Sequence, residues 1–268
     1  MANVGKRPGA TSPHQAFSAW PLAAAALRGA WPMAALLLVV NTALILLPVE
    51  QIFLWMLSVL LSMACSCLLE AALYGRALRR LGAATPTMGR LPVFMGRWLI
   101  LMLLVASPLA ALGLLGWASE DFLLASENDG VVIFLFSGGG LVLVASWGIV
   151  YARFGPALPL ALLDQRSAPW DHWRRPGFSR RLRRIAPGLA LMLAAFLGYI
   201  PFSIWHSQDA VLVADPLSQG LTAWTMREVA GNLLFDLANI CGVAQIAAAL
   251  CLDLTTESVP EDAVQVFE

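Results

Sequence analysis

Six long apolar runs recur along the 268 residues of the chain, and they constrain the fold more than any other feature. A helix needs about 20 apolar residues to cross a hydrocarbon layer roughly 30 Å thick. Hydrophobic residues make up 59% of the chain, whereas an ordinary soluble domain has roughly 45–50%. The pattern predicts an all-α, polytopic membrane protein with six transmembrane helices. The predicted spans are residues 32–47, 52–73, 99–117, 131–150, 186–204 and 229–252.

Basic residues are segregated along the chain, although its formal net charge is zero. The N-terminal segment, the connection after the second run and the connection after the fourth run hold sixteen of the seventeen Lys and Arg residues. If the six spans alternate, these three segments lie on one side of the membrane. Cytoplasmic loops carry such an excess of positive charge. The sequence therefore predicts a multi-pass protein of the bacterial inner (cytoplasmic) membrane with its N and C termini in the cytoplasm.

The two ends of the chain differ from its central part. Residues 1–16 are polar and rich in Gly, Pro and Ser, which predicts a disordered N-terminal tail. Residues 17–252 are predicted to form a single six-helix transmembrane domain, in which residues 17–27 either lie in the interface or lengthen the first helix. Pro32 is well placed to begin that helix. Residues 253–268 form an acidic C-terminal tail that could fold back on the basic face.

Two basic segments repeat one pattern. Residues 74–81 and 178–185 each place apolar side chains at i, i+4 and i+7, with arginines between them. This spacing predicts short interfacial amphipathic helices. The arginines either fix the topology without a specific ligand or form a contact surface for anionic lipid or a protein partner, where each contributes about 1 kcal/mol. The candidate contact residues are Arg76, Arg79, Arg80, Arg153, Arg180, Arg181, Arg183 and Arg184.

The last apolar run carries three polar side chains on one helical face, Asn232, Asp236 and Asn239, at i, i+4 and i+7. Ionisable groups at membrane depth are costly and are functional candidates by default. Secondary transporters place such an acid beside interrupted helices, and residues 107–108 (Ser-Pro) and 138–140 (three glycines) could interrupt two other spans. The alternative is that the polar side chains only join helices by hydrogen bonds.

Other ionisable groups offer little chemistry. Glu70, near the end of the second run, is predicted to snorkel or to pair with an arginine in a structural role. Its expected partners are Arg76, Arg97 or Arg153. The four cysteines lie in apolar runs and the three histidines lack the spacing of metal ligands, so neither a metal nor a cofactor is expected. The chain contains no phosphate-binding glycine loop and no nucleophile elbow, and this predicts a non-enzymatic protein.

A short motif lies at the end of the fourth run. It reads Tyr-x-Arg followed by Leu-Pro, at Tyr151, Arg153, Leu158 and Pro159. Together with the six-run layout, this motif resembles a poorly characterised bacterial inner-membrane family, the six-helix membrane domain attached to some glycerophosphodiester phosphodiesterases and its stand-alone relatives. The resemblance implies an inner-membrane protein whose biochemical role is mostly unassigned. Because the chain has no hydrophilic domain of the required size, no phosphodiesterase activity is expected.

Two functional hypotheses follow from these patterns. The first is an integral inner-membrane protein of non-enzymatic type that interacts through its basic cytoplasmic face with anionic lipid, a membrane-protein partner complex or a second copy of the chain. Nucleic acid is not an expected partner. The alternative is a small-solute or proton-coupled transporter with a midplane site around Asp236. A hydrated cavity that reaches Asp236 favours transport, whereas a closed bundle in which Asn or Ser satisfies Asp236 favours interaction.

Overall fold

The structure is a computed structural model that describes residues 15–46, 52–83, 88–118, 129–163, 177–210 and 223–257. These residues are helical apart from short turns, and no strand occurs among them, so the predicted all-α class is confirmed. The helices are α1 (Gln15–Leu46), α2 (Ile52–Arg80), a 3-10 turn (Met88–Arg90), α3 (Leu91–Ala118), α4 (Asp129–Phe154), α5 (Ala157–Leu162), α6 (Phe178–Ala210) and α7 (Ala223–Glu257).

Five of the described helices are long and apolar enough to cross a membrane. Their spanning parts are Ala19–Leu44, Met56–Arg80, Leu91–Ala111, Phe178–Tyr199 and Val229–Thr255. The side chains of α4 are described from Gly138 onward, and this described part, Gly138–Phe154, is a shorter apolar stretch. The chain is therefore a multi-pass helical protein, while the sixth span and the side on which the termini lie stay predictions. Residues 1–14 and 258–268, which make up most of the two predicted tails, lie outside the described residues.

Helix α1 begins well before Pro32, and the predicted start at that proline is wrong. The helix contains both Pro21 and Pro32 in its interior, although each proline removes one backbone hydrogen bond. Tertiary packing on both sides of the prolines offsets this loss. Small side chains recur on one face at helical spacing and are at most 2% exposed. They are Ala19, Ala23, Ala26, Ala30 and Ala34. Residues 17–27 thus lengthen the first helix.

The two predicted interfacial segments are the ends of longer helices. Residues 74–81 continue α2 and residues 178–185 begin α6. Their apolar faces pack inside the protein, because Tyr74, Leu78 and Ile185 are fully buried. The pattern at i, i+4 and i+7 therefore predicts the buried face correctly, but this face packs against the other helices of the bundle.

Helix α2 ends in a Schellman motif. The backbone N–H of Ala83 donates to the carbonyl of Leu78 at 3.0 Å, and the N–H of Gly82 donates to the carbonyl of Arg79 at 3.2 Å. This geometry needs a positive φ, which Gly82 supplies at 73°. The motif fixes the last turn of α2, where Arg79 and Arg80 lie exposed and favourably placed beside the negative end of the helix dipole.

Helix α7 is the centre of the bundle and packs against α6, α1 and α2. Helix α4 joins α6 to α3, and the short buried α5 packs against α3 and α2. The backbones of α6 and α7 touch: a Cβ atom on Gly188 would lie 2.6 Å from the carbonyl oxygen of Gly242, and one on Gly242 would lie 2.9 Å from that of Gly188. By contrast, α2 and α3 make few contacts with each other. A space therefore remains between them.

Candidate functional site

A cavity of about 560 Å³ lies among α1, α2, α3, α4 and α7. Apolar side chains form most of its wall. Its polar lining residues are Asn41, Ser62, Ser66, Glu70, Asp236 and Asn239. The lining residues on the α2 and α3 side include Met63, which is 40% exposed, and Leu103, which is 71% exposed. Both side chains belong to segments that are long and apolar enough to cross a membrane, so this part of the cavity wall is exposed on the side of the bundle between α2 and α3.

Asp236 of α7 belongs to a hydrogen-bonded network of polar side chains from three helices. The side-chain amide of Asn41 on α1 donates to Asp236 Oδ2 at 3.0 Å. The hydroxyl of Ser62 on α2 in turn donates to Asn41 Oδ1 at 2.6 Å. No second donor reaches the Asp236 carboxyl within the described part of the chain. The three side chains join α1, α2 and α7 at one level and leave one carboxyl oxygen of Asp236 available to the cavity.

Glu70 of α2 is the second acid of the cavity and is only 4% exposed. The indole N–H of Trp98 on α3 donates to Glu70 Oε1 at 2.9 Å. The hydroxyl of Tyr151 on α4 donates to Glu70 Oε2 at 3.0 Å. The prediction that an arginine pairs with Glu70 is therefore wrong. Neutral donors hold this carboxyl, because Tyr151 and Trp98 reach it from helices whose proximity the sequence does not reveal.

The two acids lie at different depths of one space. Ser62 and Glu70 are eight positions apart on α2, which corresponds to about 12 Å along the helix axis. Ser62 marks the level of the Asp236 network. The described lining residues of the cavity include no Lys, Arg or His. Two acidic residues therefore line a mostly apolar space, and no basic side chain accompanies them among its described lining residues.

The structure brings together two of the three polar residues predicted on the last span. Asp236 and Asn239 line the cavity, whereas Asn232 does not. The amide of Asn239 donates to the backbone carbonyl of Phe235 at 3.0 Å. The predicted site lacked Asn41, which is the only Asn of the first apolar run and could have been noticed for that reason.

The predicted interruptions of two spans are not interruptions in the structure. Helix α3 continues through Pro108, and the hydroxyl of Ser107 donates to the carbonyl of Leu104 at 2.9 Å. In α4, a Cβ atom on Gly140 would overlap the ring of Phe196 on α6. This glycine therefore allows the two helices to pack closely.

Part of the predicted basic surface is internal. Arg181 and Asp253 are both almost fully buried, and Arg181 Nε lies 2.9 Å from Asp253 Oδ2. Arg184 Nη1 donates to Asp253 Oδ1, and Arg180 Nε lies 3.4 Å from the same oxygen. Gln245 extends the contact by donating to the carbonyl of Arg184 at 2.9 Å. These arginines join α6 to α7, and Asp253, which was predicted to lie in the C-terminal tail, belongs to α7.

The other candidate arginines divide into two groups. The Arg153 guanidinium lies 4.5 Å from the centre of the Phe178 ring. Arg76 is partly buried, and its Nη1 lies 3.5 Å from the carbonyl oxygen of Ala72. The exposed members are Arg79, Arg80, Arg180 and Arg183, of which Arg180 has half of its side chain exposed. Only this second group can meet an external ligand directly.

The Tyr-x-Arg and Leu-Pro motif has structural contacts throughout. Tyr151 donates to Glu70, as described above. Leu158 and Pro159 are buried in α5. Arg97 of α3 donates to the carbonyl of Ala157, the first residue of α5, at 2.6 Å. The motif thus places α5 against the helices that carry the Glu70 end of the cavity.

Among the described residues, no group of three or more His, Cys, Asp or Glu side chains could hold a metal ion. Comparison of the chain with protein-family models, with curated proteins and with solved structures returned no match. What the protein does must therefore be inferred from its own residues. Two carboxyl groups in an apolar intramembrane cavity can hold protons or attract a cation, and the apolar wall can hold hydrocarbon.

Proposed function

We propose that the protein is a non-enzymatic small-solute transporter of the bacterial inner membrane, whose solute enters the cavity among α1, α2, α3, α4 and α7 from the surrounding lipid. The observation that carries this proposal is one cavity that reaches both Asp236 and Glu70. Its volume of about 560 Å³ lies within the range of about 300–1,000 Å³ that ligand sites occupy. A cavity reaches Asp236, as transport requires, while the hydrogen bond from Asn41 to the same carboxyl is the feature expected for interaction alone.

The composition of the wall supports a largely apolar solute. Most lining residues are aliphatic or aromatic, and a few polar groups converge at two levels. Ligand sites combine apolar contact with a small number of placed polar groups in this way. A solute that enters between Met63 and Leu103 would meet apolar side chains before it reaches either carboxyl group.

Binding can be tested with three probes of nearly the same shape: neopentylbenzene (neutral), benzyltrimethylammonium (a cation) and benzylsulfonate (an anion). Protein in nanodiscs is dialysed to equilibrium against each labelled probe, and binding to empty nanodiscs is subtracted. The proposal expects saturable binding of at least one probe. Uptake of that probe into proteoliposomes then tests transport, and binding without uptake would reduce the proposal to a binding protein.

A matched pair of substitutions locates the binding. Ala106 lines the cavity and Ala110 does not, although both are exposed positions of α3 one turn apart. Ala106→Trp fills part of the cavity and should abolish binding, whereas Ala110→Trp adds the same side chain outside it and should leave binding unchanged. Equal effects of the two substitutions, or no saturable binding of any probe, would contradict the proposed function.

A second candidate function rests on the exposed arginines. Two contacts place the end of α2 and the start of α6 at one end of α7: Cys251 Sγ lies 3.9 Å from the carbonyl oxygen of Tyr74, and Asp253 pairs with Arg181. The exposed Arg79, Arg80 and Arg183 therefore share one side of the bundle, where we infer contact with anionic lipid on the cytoplasmic face.

This second candidate has its own test. We expect the purified protein to retain anionic lipid in mild detergent. A variant that replaces Arg79, Arg80 and Arg183 by Gln should lose this lipid. Native mass spectrometry counts the retained lipid. Unchanged retention in the triple variant would contradict a specific lipid contact and leave these arginines as determinants of topology.

A further inference from the structure

The cavity combines three features that together select one chemical class of solute. Two carboxyl groups face it, no basic side chain lies among its described lining residues, and two tryptophans, Trp98 and Trp147, belong to its wall. We infer that the solute is a lipophilic organic cation, an amine or quaternary ammonium that carries apolar groups, held with its charged nitrogen beside Glu70. This inference rests on the proposed function, because it names the solute of the same site.

The surroundings of Glu70 favour a cation. Glu70 is only 4% exposed, and its carboxyl group accepts hydrogen bonds from the neutral donors Trp98 and Tyr151. Such donors orient the carboxylate but add no positive charge. A carboxylate in a low-dielectric space is costly unless a proton or a cation neutralises it. The cavity is therefore electrostatically complementary to a cation and unfavourable to an anion.

The two tryptophans of the wall also favour a cation. Trp98 is held in place by its bond to Glu70, and Trp147 lies on α4, with its ring 5.7 Å from that of Tyr151. Aromatic faces attract cations, most strongly when water is excluded, and they recognise quaternary ammonium groups that cannot donate a hydrogen bond. An ammonium group beside Glu70 would thus meet a carboxylate and indole rings together. The apolar wall would hold its substituents.

The position of Asp236 favours a cation that can move within the cavity. Asp236 offers a second carboxyl group in the same space, at the level of Ser62, which lies about 12 Å from Glu70 along α2. Asn41 is its donor, so it too is held by a neutral side chain. A cation can therefore leave one acid for the other without crossing a basic barrier among the described lining residues. A site of this kind suits a monovalent cation that moves through the cavity better than one that binds permanently.

The experiment compares the three probes described above on the unaltered protein. Benzyltrimethylammonium should bind more tightly than neopentylbenzene by about tenfold or more, and benzylsulfonate should not bind measurably. Stronger binding of the neutral or anionic probe would overturn the inference and leave the proposed function intact. If no probe binds, the proposed function fails and the inference fails with it.

Substitution at Glu70 adds an independent readout. Glu70→Gln keeps an oxygen that accepts from Trp98 and removes the charge. It should weaken benzyltrimethylammonium binding by about tenfold or more, while neopentylbenzene binding stays unchanged. Equal weakening of both probes would show a structural role and overturn the assignment of Glu70. Trp147→Leu should also weaken cation binding, whereas Trp31→Leu should not, because Trp31 is an exposed tryptophan outside the cavity.

Discussion

Replacement of Asp253 by leucine should strongly destabilise the bundle. The Asp253 side chain is 2% exposed and lies 2.9 Å from Arg181 Nε, and the Arg181 side chain is 1% exposed. Removal of one partner of a buried ion pair costs about 3–5 kcal/mol, because the other charge keeps its desolvation penalty. We therefore expect Asp253→Leu to lower the free energy of unfolding by about that amount.

Two further variants separate the buried pair from a general loss of charge. Arg180 has 50% of its side chain exposed, so Arg180→Gln should cost about 0–1 kcal/mol. The double variant Arg181→Met with Asp253→Leu replaces the two most deeply buried charges of this cluster by apolar side chains. Because such replacement is often neutral or stabilising, the double variant should be more stable than Asp253→Leu alone.

Equilibrium unfolding in mixed micelles, followed by circular dichroism as the fraction of denaturing detergent rises, measures these differences. The predicted role of the buried Arg181–Asp253 pair is contradicted if Asp253→Leu lowers the free energy of unfolding no more than Arg180→Gln does. A double variant that loses the sum of the losses measured for Arg181→Met alone and Asp253→Leu alone would also contradict it, because additivity would mean that the two side chains do not interact.

Three other predictions concern packing, hydrogen bonding and topology. Gly188→Leu should destabilise the protein by more than about 3 kcal/mol in the same unfolding assay, because its side chain meets the α7 backbone at Gly242, whereas Gly198→Leu, with nothing within 4 Å of an added Cβ, should have little effect. Tyr151→Phe removes a buried donor from Glu70 and should cost about 1–3 kcal/mol; no change would show that this bond is weak. A fluorescent protein fused to the C-terminus should be fluorescent and an alkaline phosphatase fused there inactive, since both report a cytoplasmic end; the reverse result would contradict the predicted orientation.

The sequence was sufficient for the fold class and for one face of the candidate site. Apolar length predicts membrane helices directly, and the spacing of Asp236 and Asn239 places them on one face of α7, where both line the cavity. The partners of these residues were beyond reach. Asn41 lies 195 positions from Asp236 along the chain, and helical periodicity reports which face is buried without naming the helix that covers it.

The charge patterns did not reveal the partners of Arg181 and Glu70, for a related physical reason. An arginine between apolar residues near a helix end is typical of an interfacial segment, and Arg181 fits that pattern. Its burial depends on Asp253, 72 positions later, which only the packing of α6 against α7 brings into contact. Glu70 is the converse case. The arginines near Glu70 in the sequence predicted a salt bridge, but in the structure the indole of α3 and the phenol of α4 donate hydrogen bonds to the carboxyl group.

The backbone contact at Gly188 and Gly242 has a mechanical consequence. Together with the buried Arg181–Asp253 pair, it fastens α6 to α7 at more than one depth, so these two helices resist sliding past each other. Among the residues that the structure describes, α2 and α3 make few contacts with each other. If the protein transports a solute as proposed, a change of shape that admits or releases the solute would therefore concentrate at the α2–α3 boundary, while α6 and α7 stay fixed relative to each other.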